Sequence, residues 1–263
     1  MILSIRNLNK IRPLEGGAGY RLAVPALDVC AGEKVLITGP SGSGKSTFLD
    51  LLGMVLQPDG AEQFLFAPEK RAAASPAMAS CPTGACGAIA ACDIGAAWKS
   101  GQLERLALWR RSIGYVLQTG GLLPFLTVRE NIETPRRLLG LPDDGSADAL
   151  AEKLGITLLL HKQPAQLSVG ERQRAAIARA LAAGPALVLA DEPTAALDPL
   201  NAESVLGMFS NMVSELGVTL ILVTHAPEQM AGMRFRRLEV RQHISLEQGR
   251  EAVLEEYGKG DGL

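Results

Sequence analysis

Residues Gly39-Pro40-Ser41-Gly42-Ser43-Gly44-Lys45-Ser46-Thr47 have the composition of a loop that holds phosphate. They fit the pattern G-x-x-x-x-G-K-[ST] in full. Glycines at 39, 42 and 44 let the backbone curl so that successive N–H groups point inward at phosphate oxygens. Lys45 can reach the β- and γ-phosphates, and the Ser46 hydroxyl can ligate Mg²⁺. Asp191-Glu192 closes the apolar run 187–190. An acid at such a strand end can hold Mg²⁺ and its waters opposite Ser46, while Glu192, facing another way, can orient or deprotonate an attacking water. Gln118 ends a further strand-like run, where an amide can touch the metal and the water without adding charge. His225 follows the run 218–224 and can hydrogen-bond a γ-phosphate. Taken singly, the acids could be a surface pair, Gln118 a solvated amide and His225 a structural residue. The complete phosphate loop makes the chemical reading the better one.

Leu167-Ser168-Val169-Gly170-Glu171 adds an S-x-x-E capping box at the start of a long Ala-rich helix. Gly170 allows close approach there, and a helix N-terminus can receive a phosphate. The chain has no second phosphate loop, so that phosphate would belong to a second subunit.

Positioning these groups requires a strand, a loop and a helix in sequence. Residues 34–38 read as a buried strand and 48–52 as the opening of a helix whose positive end adds to the loop. β-type runs cover 2–5, 20–24, 27–29 and 35–38, with Gly16-Gly17-Ala18-Gly19 as a turn. A helix over 46–55 stops before Pro58-Asp59-Gly60, a helix spans 102–111, and a strand spans 113–117. Residues 119–166 read as mostly helical, broken at Pro124, Pro135, Pro142 and Pro164. The helix 168–183 is stopped by Gly184-Pro185. Strands follow at 187–190 and 218–224, with 236–241 as a last one, and the tail from Ser245 reads as a charged helix. Strands alternating with helices predict an α/β fold, a P-loop core with a mainly parallel sheet and helices on both faces. Residues 67–97 lose hydrophobic periodicity to Ala, Ser, Gly and Pro, and read as a surface insertion.

A net charge of −2 gives general nucleic-acid binding no support. No signal peptide or membrane span is visible, so a membrane role is expected to come through a partner. Four cysteines fit a reducing compartment. Cys81, Cys86 and Cys92 are spaced C-x₄-C-x₅-C, which is looser than a zinc site and is read as incidental ahead of metal or redox use.

The motifs, in this order, resemble the nucleotide-binding subunits of ABC transporters: the phosphate loop 39–47, Gln118, the signature 167–171, the acidic strand end 187–192, Ala196-Leu197-Asp198 and His225. Gly114-Tyr115-Val116-Leu117-Gln118 and Leu126-Thr127-Val128-Arg129-Glu130-Asn131-Ile132 look most like the lipoprotein-releasing, macrolide-exporting and cell-division branch. The resemblance covers nearly the whole chain apart from 67–97 and the tail. It implies one ATPase domain over 1–263, with an antiparallel N-terminal β-subdomain, an α-helical signature subdomain at 119–178 and a tail at 242–263. It also implies a head-to-tail homodimer enclosing two ATP molecules, with Mg²⁺ held by Ser46, Gln118 and Asp191. Lys45, Ser46, Gln118, Asp191, Glu192 and His225 would act from one subunit, Ser168 and Gly170 from the other, and Asp198 would link the sites. The implied partner is an integral membrane permease, at the cytoplasmic face of the inner membrane. The alternative is an ATPase that regulates a membrane signalling complex without transport.

Several residues depart from the family pattern. Val169 stands for a signature glycine, Glu171 for glutamine, Ala196 for the serine before Leu197, and Ala226 for the acid after His225. The adenine-stacking aromatic has no clear counterpart: register puts Ile11 or Arg12 there, with Tyr20 several residues late.

Overall fold

The computed structural model describes residues 1–14, 17–68, 92–230, 232–245 and 249–257. Two long strands come first, β1 (Leu3–Leu14) and β2 (Gly17–Val29), paired antiparallel. The short runs expected at 2–5, 20–24 and 27–29 are parts of these two. Then come β3 (Lys34–Thr38), α1 (Lys45–Leu52), β4 (Gln63–Phe66), β5 (Cys92–Asp93), α2 (Ile94–Lys99), α3 (Leu103–Arg110) and β6 (Ile113–Val116). The helical part holds α4 (Val128–Leu138), α5 (Ser146–Lys153) and α6 (Val169–Leu181). The chain continues through β7 (Leu187–Asp191), α7 (Pro199–Glu215), β8 (Thr219–Val223), β9 (Arg236–Ser245) and β10 (Gly249–Glu256).

All strands join one sheet in the order β5-β4-β1-β2-β10-β9-β3-β8-β7-β6. β3, β6, β7, β8 and β9 run parallel to one another where they pair, β10 runs antiparallel to β9 and parallel to β2, and β1, β2, β4 and β5 form the antiparallel end. Period-two side-chain alternation explains why the central strands are apolar throughout. In β7, Leu187 and Leu189 enter one core while Val188 and Ala190 enter the other. Val35 and Ile37 divide from Leu36 in the same way. The first core fills the space under α1 and the antiparallel end, and the second lies under α4–α7. α6 presents Ala175, Ala176 and Ala178 fully buried, small enough to bring the helix close to its neighbours.

Four expectations change. The tail is a strand rather than a charged helix: Ala252 and Leu254 are buried at period two, and β10 pairs with β9 on one side and β2 on the other. The insertion is narrower than 67–97. The Ala67 amide donates to Ile2 O, and Cys92, Ile94 and Ala97 are buried in the first core. Asp93 caps α2 by accepting from the Ala96 amide. Residues 69–91, with Cys81 and Cys86, lie outside the described residues. Pro135 does not break its helix, because α4 continues three residues past it. Finally, α1 ends at Leu52, earlier than 55, where Gly53 takes the C-cap.

Candidate functional site

The site gathers at the C-terminal ends of β3, β7 and β8, where parallel α/β sheets place their ligands. Gly44 is the N-cap of α1 at φ 96, with no side-chain cap, so the first amides of α1 are not taken by a capping side chain. Only glycine fits there. A Cβ on Gly44 would lie 1.5 Å from the Tyr20 hydroxyl. Lys45 is buried and folds back over its own loop, donating to Gly39 O at 2.9 Å and Pro40 O at 2.8 Å. Burial pushes its pKa down, opposed by the charges of Glu192 and Asp191. A phosphate chain would replace those two carbonyls with charged acceptors.

Asp191 ends β7 opposite the start of α1. Burial pushes its pKa up, while the Ser46 hydroxyl pulls it down; Glu192 and Asp50 push it up further, and Lys45 opposes them. Its Oδ1 is buried with no hydrogen-bond partner among the described residues. An orphaned carboxylate oxygen facing a serine hydroxyl fits a hard divalent cation.

Glu192 is held from three sides. Its backbone takes φ 44, rare outside glycine, and its amide donates to Val223 O at 3.0 Å. Its Oε2 lies 3.1 Å from His225 Nδ1 and accepts from Gln118 Nε2 at 3.4 Å. The structure therefore brings Lys45, Ser46, Gln118, Asp191, Glu192 and His225 to one place.

Ser168, Gly170 and Asp198 are placed differently. Ser168 caps α6: its hydroxyl accepts from the Glu171 amide at 3.3 Å, and its own amide donates to Glu171 Oε2 at 2.7 Å. The Ser168 contacts lower the pKa of the Glu171 carboxyl. Gly170 is open: among the described residues outside its own helix backbone, only Leu197 comes within 4 Å of an added Cβ. Asp198 caps α7, accepting from the Asn201 amide at 3.1 Å and side chain at 2.6 Å. Among the described residues no hydrogen bond joins Ser168, Gly170 or Asp198 to the phosphate loop.

One residue near the site was only half read from the sequence, and another was missed. Tyr20 looked too far along the chain to meet the site. The β1–β2 hairpin pairs it with Arg12, and its hydroxyl sits beside Ser43 O at 3.4 Å and the Thr47 side chain. Counting residues along one strand misses what a hairpin places side by side. Asp50 lies one turn after Ser46 on α1, accepts from the Tyr115 hydroxyl at 3.3 Å and is felt at Asp191; only the i, i+4 spacing could have signalled it.

The sequence pattern of the ABC transporter family matches residues 22–195. The chain is similar to a lipoprotein-releasing system ATP-binding protein, LolD, of Paramagnetospirillum magneticum, at 38% identity over 210 residues, covering 79% of this chain and 81% of that protein. It is similar to a macrolide export ATP-binding/permease protein, MacB, of Marinobacter nauticus, at 38% identity, covering 79% of this chain and 29% of that protein. Its fold matches the dimeric post-hydrolysis state of the ATP-binding cassette MJ0796 bound to ADP and Pi, with TM-score 0.69 and 28% identity, covering 90% of this chain and 94% of the other.

Proposed function

Because the chain belongs to the ABC transporter family, we propose that it is an ATP-hydrolysing subunit that drives a membrane permease by closing, with a second copy of itself, over ATP. The observation that carries this is the grip on Glu192 by His225 and Gln118 beside a phosphate loop with no side-chain cap. ATP seats its β- and γ-phosphates on residues 39–47 and recruits Lys45 from Gly39 O and Pro40 O. Ser46 and Asp191, with Gln118, would hold Mg²⁺, which neutralises phosphate charge when bound. Glu192 accepts the proton of the attacking water, and His225 holds the carboxylate and the γ-phosphate edge. Ser168 and Gly170 close from the other subunit, with Asp198 at the border between sites.

The names of the relatives, a lipoprotein-releasing system and a macrolide exporter with a permease, support work in release or export, and the proposed place is the cytoplasmic face of the inner membrane. No helix among the described residues is long and apolar enough to cross a membrane. Glu192→Gln tests the chemistry: it is expected to keep ATP affinity, lose about 100-fold in turnover, and run as a dimer in size exclusion with Mg-ATP. Turnover near the wild-type rate would remove Glu192 from its role. Co-purification from membranes with mass spectrometry tests the partner. Recovery without any integral membrane protein counts against the permease.

A further inference from the structure

The segment just after Gln118 lies against α6, and one side chain holds it there. Arg179, in the last turn of α6, donates through Nη1 to Gly121 O and through Nη2 to Gly120 O, the latter at 3.0 Å. Both glycines have positive φ, 75 for Gly120 and 60 for Gly121. Two successive left-handed residues turn both carbonyls toward the same helix, a conformation in which side chains are costly. Space is as restrictive as the backbone: a Cβ on Gly121 would meet Leu117 Cδ1 at 2.8 Å and Arg179 Nη2 at 3.3 Å. A Cβ on Gly120 would meet Ala176 Cβ and Gln173 Oε1 of α6, each at 3.6 Å.

Arg179 is an expensive way to hold a loop. Burial pushes its pKa down, and no carboxylate pairs with it among the described residues. A guanidinium taken from water without a counter-charge stabilises little by itself. What it gains is geometry, because its planar fork fixes two carbonyls at once. Two residues before Gly120, Gln118 reaches Glu192 Oε2. A connected path therefore runs from α6, through Arg179 and the Gly120-Gly121 carbonyls, to Gln118 and then to Glu192.

We propose that Arg179 is a positioning residue that ties the placement of Gln118 against Glu192 to the placement of the signature helix α6. The inference rests on the role given above to Gln118. When α6 moves relative to the sheet, the two carbonyls move with it and Gln118 is drawn toward or away from Glu192. Ser168 and Gly170 sit at the other end of the same rigid helix. Turnover would then depend on how the helical part is seated, through a contact that never touches nucleotide.

The test is a double-mutant cycle on the full chain: Arg179→Ala, Gln118→Ala and the pair, with kcat from steady-state hydrolysis and ADP affinity without Mg²⁺ from calorimetry. Arg179→Ala is expected to lower kcat about tenfold, roughly the effect of losing hydrogen bonds to a charged group. ADP affinity should stay within about twofold, because Lys45 and its loop stand on β3 and α1. Arg179→Lys should recover part of kcat, since an ammonium can reach one carbonyl. In the Gln118→Ala background, removing Arg179 should cost little more. Equal losses in both backgrounds, a kcat unchanged by Arg179→Ala, or a loss of ADP affinity in step with kcat would overturn the proposal. If Gln118→Ala alone leaves kcat intact, the role of Gln118 falls, and the inference falls with it. Should Arg179→Ala fail to fold, Gly121→Ala perturbs the same contact from the loop side and runs the same cycle against the same outcomes.

Discussion

Two helices of this chain start at the motifs proposed to meet phosphate, and they start in opposite ways. α1 begins at Gly44 with no side-chain cap. α6 begins at Ser168 with both halves of a capping box made: hydroxyl to the Glu171 amide, carboxylate to the Ser168 amide. The first helix end keeps its donors for a ligand. The second satisfies its own donors and is complete without one. On the proposed reading, the difference teaches that a single chain carries one finished half of a nucleotide site and one half at rest. The resting half needs no phosphate to fold, so it can stay exposed until a second copy brings one.

Breaking the finished half should have the largest effect. Lys45→Ala removes the charge that now rests on Gly39 O and Pro40 O. Hydrolysis is expected to disappear, and nucleotide affinity by calorimetry to fall about 10- to 100-fold, the worth of a charge-assisted hydrogen bond. Unchanged affinity would contradict the assignment.

The next effect comes from breaking one half in each of two subunits. A Ser168→Arg subunit mixed with a Lys45→Ala subunit leaves one composite site with an intact phosphate loop and an intact signature. The heterodimer is expected to retain some hydrolysis where both parent homodimers have none. A folded, verified heterodimer with no activity would place both halves within one chain or demand that both sites act together.

Much of this contrast was legible in the residues. Gly39–Thr47 and the S-x-x-E box are local patterns, set by backbone chemistry over a few residues, and both form. Asp191-Glu192 was placed by the apolar run before it, because a strand buried on both faces leaves its end at the ligand edge. Long-range pairing was not legible. The sequence 249–256 carries charge enough to pass for a helix surface, and only its neighbours β2 and β9 make it a strand. The Arg12–Tyr20 pairing and the hold of Arg179 on Gly120 and Gly121 have the same origin: each joins residues that only the assembled sheet and helices bring together.

Smaller effects sharpen the resting half. Ser168→Ala removes the α6 cap and is expected to cost about 1 kcal/mol of stability in denaturant unfolding, with ADP affinity at the phosphate loop unchanged. A variant as stable as the wild type would mean that the box is not what completes α6.

The smallest effect is electrostatic. Glu171 keeps its charge more readily in the folded state, chiefly through the Ser168 amide and hydroxyl. A depressed carboxylate pKa adds stability above the unfolded value, and that stability is lost as pH falls through the folded one. The stability difference between wild type and Glu171→Gln should therefore be a few tenths of a kcal/mol at neutral pH and vanish below the usual glutamate range. A difference that persists at acid pH would assign the effect to packing instead of charge.

β10 stands in the middle of the ten-stranded sheet, between β2 and β9, although it follows every other described strand in the sequence. Without it the order falls into two pieces, β5-β4-β1-β2 and β9-β3-β8-β7-β6. Synthesis runs from the N-terminus, so the ribosome has delivered every residue of the phosphate loop, the signature and the acidic strand end before the piece that unites the sheet exists. The closing strand bonds to partners made at opposite ends of translation, β2 and β9. Emergence of β10 from the ribosome is thus also the event that turns two half-sheets into one platform. A chain cut before β10 keeps every motif and loses the strand that joins the two parts of the sheet.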